Sequence, residues 1–209
     1  MRVVLASGSP RRKTLIKKIV DEVEIITADV DERKIEEPLR KRFEGAPQQD
    51  AAAWISMELA MAKAKAVFEK IGCPEDTVVI GADTSVALSD EILGKPVDRD
   101  DAVRMLRKES LEPQYVLTGV ALVSSWGERK FAASSRVVFN PLDEAQEARI
   151  QAYCDLDEPY DKAGAYGLQD HADTLVKCYE GSFDNIVGLP TEKLKEEFEK
   201  YCKESNNTL

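Results

Sequence analysis

Near the N-terminus, Ser7-Gly8-Ser9-Pro10-Arg11-Arg12 brings together two hydroxyls, a glycine and two arginines. An apolar run precedes the segment and a helical pattern follows it, so it reads as the turn between a strand and a helix. Free backbone N–H groups and the helix dipole favour an anion there. The hydroxyls can donate hydrogen bonds, Gly8 lets backbone approach closely, and an arginine fork can clamp a phosphate through two parallel bonds. Phosphate binding is the chemistry these residue types point to. A capped helix with two solvated arginines is the other reading of the same residues. The GxxxxGK[ST] spacing of a P-loop is absent.

A second centre is acidic. Asp83 follows the apolar run Thr77 to Ile80 through Gly81-Ala82, which places its carboxylate at the C-terminal end of a buried strand, a common position for ligand sites in α/β proteins. There it would bind a divalent ion, orient a water, or simply cap the turn into Thr84. Glu32, in the acidic loop Asp29-Val30-Asp31-Glu32, is a second candidate carboxylate, although such loops are commonly just solvated. Lys63, on a long helix, and Lys95, in a Gly94-Lys95-Pro96 turn, are candidate phosphate cations or plain surface lysines. Gly164-Ala165-Tyr166-Gly167-Leu168-Gln169 fits one wall of a pocket, with the Gln169 amide reading a base edge, or an ordinary loop. His171 has no recognisable acid partner or nucleophile beside it and is a weak general base.

The elements that must position these groups follow from periodicity. Val3 to Ala6 reads as a strand, and Pro10 to Val20 as a helix capped by Ser9 with Pro10 in its first turn. A strand over Val23 to Thr27 is followed by the acidic loop. Asp50 caps a long helix reaching Ile71, with Gly72 ending it. Thr77 to Ile80 is a central strand stopping at Gly81. Ser85 to Leu88 and Glu91 to Leu93 form a hairpin, and Asp98 or Asp100 caps the helix carrying Ala102, Met105 and Leu106. Tyr115 to Ser124 and Lys130 to Phe139 form a long antiparallel hairpin through Trp126-Gly127. Glu144 to Tyr153 reads as helix, Asp161 to Asp170 as loop, Thr174 to Tyr179 as strand and Thr191 to Tyr201 as a closing amphipathic helix. This order predicts an α/β fold with a mixed sheet and flanking helices. One domain over 1–203 is expected, with 204–209 a frayed tail.

Composition narrows the partners. With 209 residues, of which 43% are hydrophobic, the chain can build one full core. A formal net charge of -10 argues against nucleic acid or an anionic membrane as the main partner, and aromatics at 7% supply little for stacking single strands. An anionic ligand therefore needs a local cationic pocket. The four cysteines form no CxxC pair and His171 is the one histidine, so structural zinc is not expected. No signal-like h-region opens the chain and no apolar run approaches the about 20 residues of a membrane span, so a cytoplasmic protein with reduced thiols is expected.

In order and spacing these segments resemble the Maf-like nucleotide pyrophosphatases, also called septum formation proteins. The resemblance is carried by Leu5 to Arg12, Asp31-Glu32, Leu59-Ala60 with Lys63-Ala64, Gly81-Ala82-Asp83-Thr84, Leu93 to Pro96, Thr118-Gly119-Val120, Asp161 to Gln169 and Asn185 to Pro190. It implies a twisted mixed sheet in two lobes around a deep cleft, similar to inosine-triphosphate pyrophosphatases, and commonly a homodimer. It also implies divalent-metal-assisted cleavage between the α and β phosphates, with Mg or Mn as the metal. Carried over by position, Asp83, Lys95 and Arg12 are catalytic, and Ser7, Ser9, Arg11, Arg12, Lys63, Lys95 and Gln169 contact substrate. Glu32 and Asp83 would serve metal or water. The Lys162 to Gln169 stretch looks like the subgroup preferring dTTP and UTP, and Gln114 and Asp170 depart from the residues many members place there. A non-catalytic nucleotide-binding regulator of cell division is the competing function.

Overall fold

The computed structural model describes residues 1–169 and 172–205. Asp170, His171 and the end of the tail, 206–209, lie outside the described residues. Seven strands form one mixed sheet: β1 (Arg2–Ala6), β2 (Glu24–Ile25), β3 (Thr77–Ala87), β4 (Ile92–Leu93), β5 (Gln114–Ser124), β6 (Gly127–Phe139) and β7 (Val176–Glu180). Their order is β2-β1-β3-β5-β6-β7, with β4 also paired to β3. β1 runs parallel to β2 and β3, and every other pairing is antiparallel. Among the described residues the helices are α1 (Pro10–Leu15), α2 (Glu32–Arg42), α3 (Gln48–Lys70), α4 (Arg99–Glu109), α5 (Glu144–Cys154), α6 (Phe183–Val187) and α7 (Thr191–Ser205).

Several expected boundaries move. The helix after Pro10 holds α-geometry only to Leu15 and tightens into a 3₁₀ turn at Ile16–Lys18. Pro47, not Asp50, precedes the long helix α3, and Asp50 lies in its first turn. Glu32 is not in a loop: the Asp31 carboxylate accepts the Lys34 backbone N–H and starts α2 at Glu32. α7 continues to Ser205, with Glu204 bonded to Arg129, past the expected start of the tail.

The largest correction concerns β3. It does not stop at Ile80 but continues as one strand to Ala87, so Asp83 sits in the middle of a strand. β5 pairs with β3 along almost this whole length. On the opposite edge, β1 pairs only as far as Gly81 and β4 only with Val86 and Ala87. Residues 82–85 thus have no strand beside them on that edge, and the sheet carries a notch there. Gly81 did not end the strand because β5 supplies the pairing that β1 gives up.

The two faces of the sheet are covered differently. On one face, α3 packs along Val79, Ala121 and Val123 and, at its other end, along Ala87 and Leu117. Its backbone lies directly on the strands: a Cβ at Gly81 would stand 2.0 Å from the Ala60 carbonyl oxygen, and one at Gly119 2.3 Å from the Met57 nitrogen. No side chain fits at either point. On the other face, α1 and α7 bury Ile80, Val120 and Leu122, while α4 and α5 bury Val86, Val116 and Val137.

Beneath that second cluster, Glu109 at the end of α4 is 1% exposed, and neither carboxyl oxygen has a hydrogen-bond partner. The loop at Gly164 (φ 74°) and Ala165 (φ 62°) closes over it, and a Cβ at Gly164 would approach Glu109 Oε1 to 2.6 Å. Burial pushes the Glu109 carboxyl well above its ordinary value. The folded state therefore keeps a proton that the unfolded chain releases. The stability tied to that proton is complete below the unfolded carboxyl's pKa and is lost as pH rises toward the folded value, at about 1.4 kcal/mol per pH unit. Glu109→Gln should remove this slope. Thermal unfolding from about pH 5 to about pH 8 should show wild type losing Tm relative to the variant as pH rises; parallel curves would contradict the assignment.

Candidate active site

The notch is where the candidate residues meet. β1 leaves the sheet at Ala6, and the Ser7 to Ser9 turn carries the chain across the notch into α1. Ser9 Oγ accepts the Arg12 backbone N–H at 3.4 Å, and Pro10 takes the first helical position. Ser7 is turned inward, its hydroxyl accepting the Ser9 N–H at 3.2 Å. The cap forms as the residue types require, and it aims Arg11 and Arg12 at the sheet edge.

Because side chains alternate along a strand, Asp83 and Thr84 point to opposite faces beside the notch. Asp83 faces α3. Lys63, one turn beyond the Ala60 contact, donates from Nζ to Asp83 Oδ1 at 2.6 Å and lies 2.8 Å from Glu32 Oε1. One ammonium thus ties two carboxylates from separate elements. The side chains of Lys63 and Asp83 are 14% and 13% exposed while Glu32 is half exposed, so the pair at Asp83 is the more strongly held. Asp83 Oδ2 has no hydrogen bond to protein among the described residues.

Thr84 faces α1 and α6. Arg12 donates from Nε to the Gly188 carbonyl at 2.8 Å and from Nη2 to Thr84 Oγ1 at 2.9 Å. Thr84 and Thr118, paired across β3 and β5, are 3.0 Å apart through their hydroxyls, and Thr118 donates to the Asn185 carbonyl at 3.0 Å. Each hydroxyl has one proton. Since a carbonyl only accepts, Thr118 spends its proton on Asn185, and Thr84 must donate to Thr118 and accept from Arg12. The chain of bonds runs one way. Asn185 is anchored in turn by Nδ2 bonds to the Val116 carbonyl and the Ser135 hydroxyl. Burial lowers the Arg12 guanidinium and the Asp83 charge works against it, leaving it below the arginine norm.

Two cavities open on either side of this junction, sharing Thr84 and Ala163 in their walls. The smaller, about 110 Å³, is lined by Ser9, Arg11, Arg12, Lys162, Tyr166 and Gln169 among others. The larger, about 300 Å³, takes Glu32, Asp83 and Lys95 together with Arg33, Glu36 and Arg40 of α2. Arg11 pairs with Asp161 at 3.2 Å and Lys162 with the same carboxylate at 2.7 Å. Partial burial works to raise Asp161, but the Lys162 bond and the Arg11 charge outweigh it and hold it below its ordinary value.

The expected residues therefore gather around the notch, but not as one cluster. Ser9, Arg11, Arg12 and Gln169 line one cavity, and Glu32, Asp83 and Lys95 the other. Lys63 binds the two carboxylates, and Ser7 lines neither cavity. Sequence reasoning passed over Thr84, Lys162, Arg33 and Arg40 as site residues. Thr84 was legible from strand alternation had β3 been extended past Gly81, whereas the α2 arginines had no local signal beyond a helical spacing. Tyr166 is buried edge-on against Phe139, ring centroids 5.0 Å apart, and forms the floor of the smaller cavity. Gln114 is buried with neither amide atom bonded.

Fold and site together define an α/β protein with two cation-lined cavities meeting at Thr84, one of them holding a lysine-bound carboxylate. The chain belongs to the Maf family: the family model described as Maf-like protein matches residues 2–201. It is 47% identical over 189 residues to the dTTP/UTP pyrophosphatase of Hahella chejuensis, covering 90% of this chain and 87% of that protein. It is 40% identical to the dTTP/UTP pyrophosphatase of Acetivibrio thermocellus, covering 94% and 93%, and 40% identical to that of Thermotoga petrophila, covering 91% and 84%. Among solved structures, the Staphylococcus aureus Ham1 protein matches with a TM-score of 0.40 at 13% identity, over 66% of this chain and 72% of that one, a likeness on which nothing here rests.

The Arg12 to Asn185 chain has a measurable worth. Thr84→Val should leave Arg12 Nη2 and Thr118 without their partner and lower the unfolding free energy by roughly 1–3 kcal/mol. Thr84→Ser should restore most of it. Urea unfolding of the two variants makes the comparison, and equal midpoints for Val and wild type would contradict it.

Proposed function

We propose that this chain is a nucleoside triphosphate pyrophosphatase acting on dTTP and UTP, releasing the nucleoside monophosphate and pyrophosphate. The observation that carries the reading is the Asp83 carboxylate, fixed by Lys63 at 2.6 Å on the wall of a cavity that also holds Lys95. The names of the relatives above support the substrate pair.

In this reading the nucleotide lies across Thr84 and Ala163. Its base reaches toward Gln169, and Ser9, Arg11 and Arg12 grip it near the junction. The phosphates extend into the larger cavity toward Lys95. Water attacks the α-phosphorus, the new O–P bond forms as the α–β bridging bond breaks, and pyrophosphate leaves with that electron pair. In this reading Asp83 Oδ2 takes the water's proton, and Lys63, bonded to Oδ1, fixes the carboxylate's orientation. Lys95 and the arginines answer the charge that builds on the phosphate oxygens.

Asp83 and Glu32 also suit a hard divalent cation. Mg²⁺ is commonly bound by one or two carboxylates and completed by substrate phosphates, and the pair here faces the cavity assigned to phosphates. When bound, Mg²⁺ or Mn²⁺ would neutralise phosphate charge and lower the pKa of a ligated water. The family resemblance further supports a homodimer, and a role on the nucleotide pool supports a cytoplasmic location.

Asp83→Asn should cut turnover of dTTP by about 10²–10⁴-fold while leaving the fold intact. The assay is pyrophosphate release with Mg²⁺ or Mn²⁺ from a panel of triphosphates. Orthophosphate as the product, or equal rates for variant and wild type, would sink the enzyme reading. Binding of dTTP without turnover by wild type would favour the nucleotide-sensing regulator.

A further inference from the structure

α2 contributes more to the larger cavity than Glu32. Arg33, Glu36 and Arg40 are spaced three and four residues apart, which stacks them on one helix face, and all three line the cavity opposite Asp83 and Lys95. α2 buries no residue. Its Ile35 and Leu39 are only half-buried, and Glu32 on Lys63 and the stacking of Phe43 on Trp54, centroids 6.2 Å apart, tie it to α3. A helix with so little apolar burial is not there to fill the core. Neither arginine lies in the segments that carry the family resemblance.

The charges in the cavity wall do not all pair off. Glu32 and Asp83 share Lys63, and Glu36 holds Arg40 through Nε and Nη2 at 3.3 and 3.2 Å. Among the described residues, Arg33 and Lys95 have no carboxylate within ion-pair distance. They face the same space from α2 and from the Gly94 to Pro96 turn, and an anion between them would satisfy both. Arg40 joins them if its guanidinium exchanges Glu36, which it meets through the single oxygen Oε2, for a phosphate, which offers two oxygens to the guanidinium fork and more charge.

We propose that α2 is a pyrophosphate-binding arm, in which Arg33, and Arg40 on release from Glu36, hold the β and γ phosphates across the cavity from Lys95. This inference rests on the pyrophosphatase reading for the identity of its ligand. The glutamate is then a competitor for the arginine and sets how tightly the arm grips.

Calorimetric titration of inorganic pyrophosphate and of dTMP, in Mg²⁺, into wild type, the Arg33→Gln/Arg40→Gln double variant and Glu36→Gln tests it. Pyrophosphate affinity should fall by about 10- to 100-fold in the double variant and rise in Glu36→Gln, while dTMP affinity stays put. The KM for dTTP should rise with the loss of pyrophosphate affinity. Unchanged pyrophosphate binding in the double variant, or equal losses for pyrophosphate and dTMP, would overturn the arm, the second outcome marking α2 as structural only. The three substitutions each place a helix-forming residue at an unburied position, so folding is preserved. Wild type that binds pyrophosphate through these arginines yet hydrolyses no triphosphate would instead overturn the enzymatic reading and leave the arm standing.

Discussion

The backbone of α3 rests on β3 and β5 with nothing between them, and the site depends on that contact. At Gly81 and Gly119 even a methyl group would collide with the helix main chain. The approach fixes the height of Lys63 above the sheet, and with it the 2.6 Å bond to Asp83. Gly119 is the residue paired with Asp83 across the strands, so the glycine clears space on the same face and beside the carboxylate it helps to orient. A partly buried carboxylate is costly to keep charged without a partner; here the partner is delivered by helix placement.

The other face is organised by an interruption. Two apolar clusters occupy its ends, one under α1 and α7 and one under α4 and α5. Between them runs the polar line from Arg12 through Thr84 and Thr118 to Asn185. Every bond in it crosses elements distant in sequence, so the line ties the N-terminal turn, the central strands and α6 into a single frame. The sheet notch sits at the same level, and both cavities open from it.

Much of this was legible in the sequence, and the failures share a cause. Hydrophobic periodicity located β1, the β5 and β6 hairpin and α3, because each carries its own pattern. Periodicity missed the continuation of β3, since Gly81-Ala82-Asp83-Thr84-Ser85 is polar and small, and only pairing with β5 keeps it extended. It missed α2 because Ile35, Leu39 and Phe43, its four-residue-spaced apolar positions, are few, only half-buried, set among charges and interrupted by Pro38. Residue type and position nominated Asp83, Glu32, Lys63 and Lys95 and the resemblance gave them roles, but neither showed that Glu32, Asp83 and Lys95 line one cavity while Ser9, Arg11, Arg12 and Gln169 line another, a division that depends on strand alternation and on the notch. Lys162, named only within a motif, emerged as a cavity residue once the loop around Gly164 was folded over α4.

The one-way order of the Thr84 hydrogen bond carries a further chemical meaning. With its only proton committed to Thr118, the Thr84 oxygen offers the shared wall of the cavities a lone pair and no donor. A bare phosphate oxygen, which can only accept, gains nothing from meeting it and is steered past toward the lysine and arginines. A group bearing an N–H or O–H is received there. In the proposed binding mode the hydroxyl would sort the two ends of a nucleotide by the direction in which each can share hydrogen.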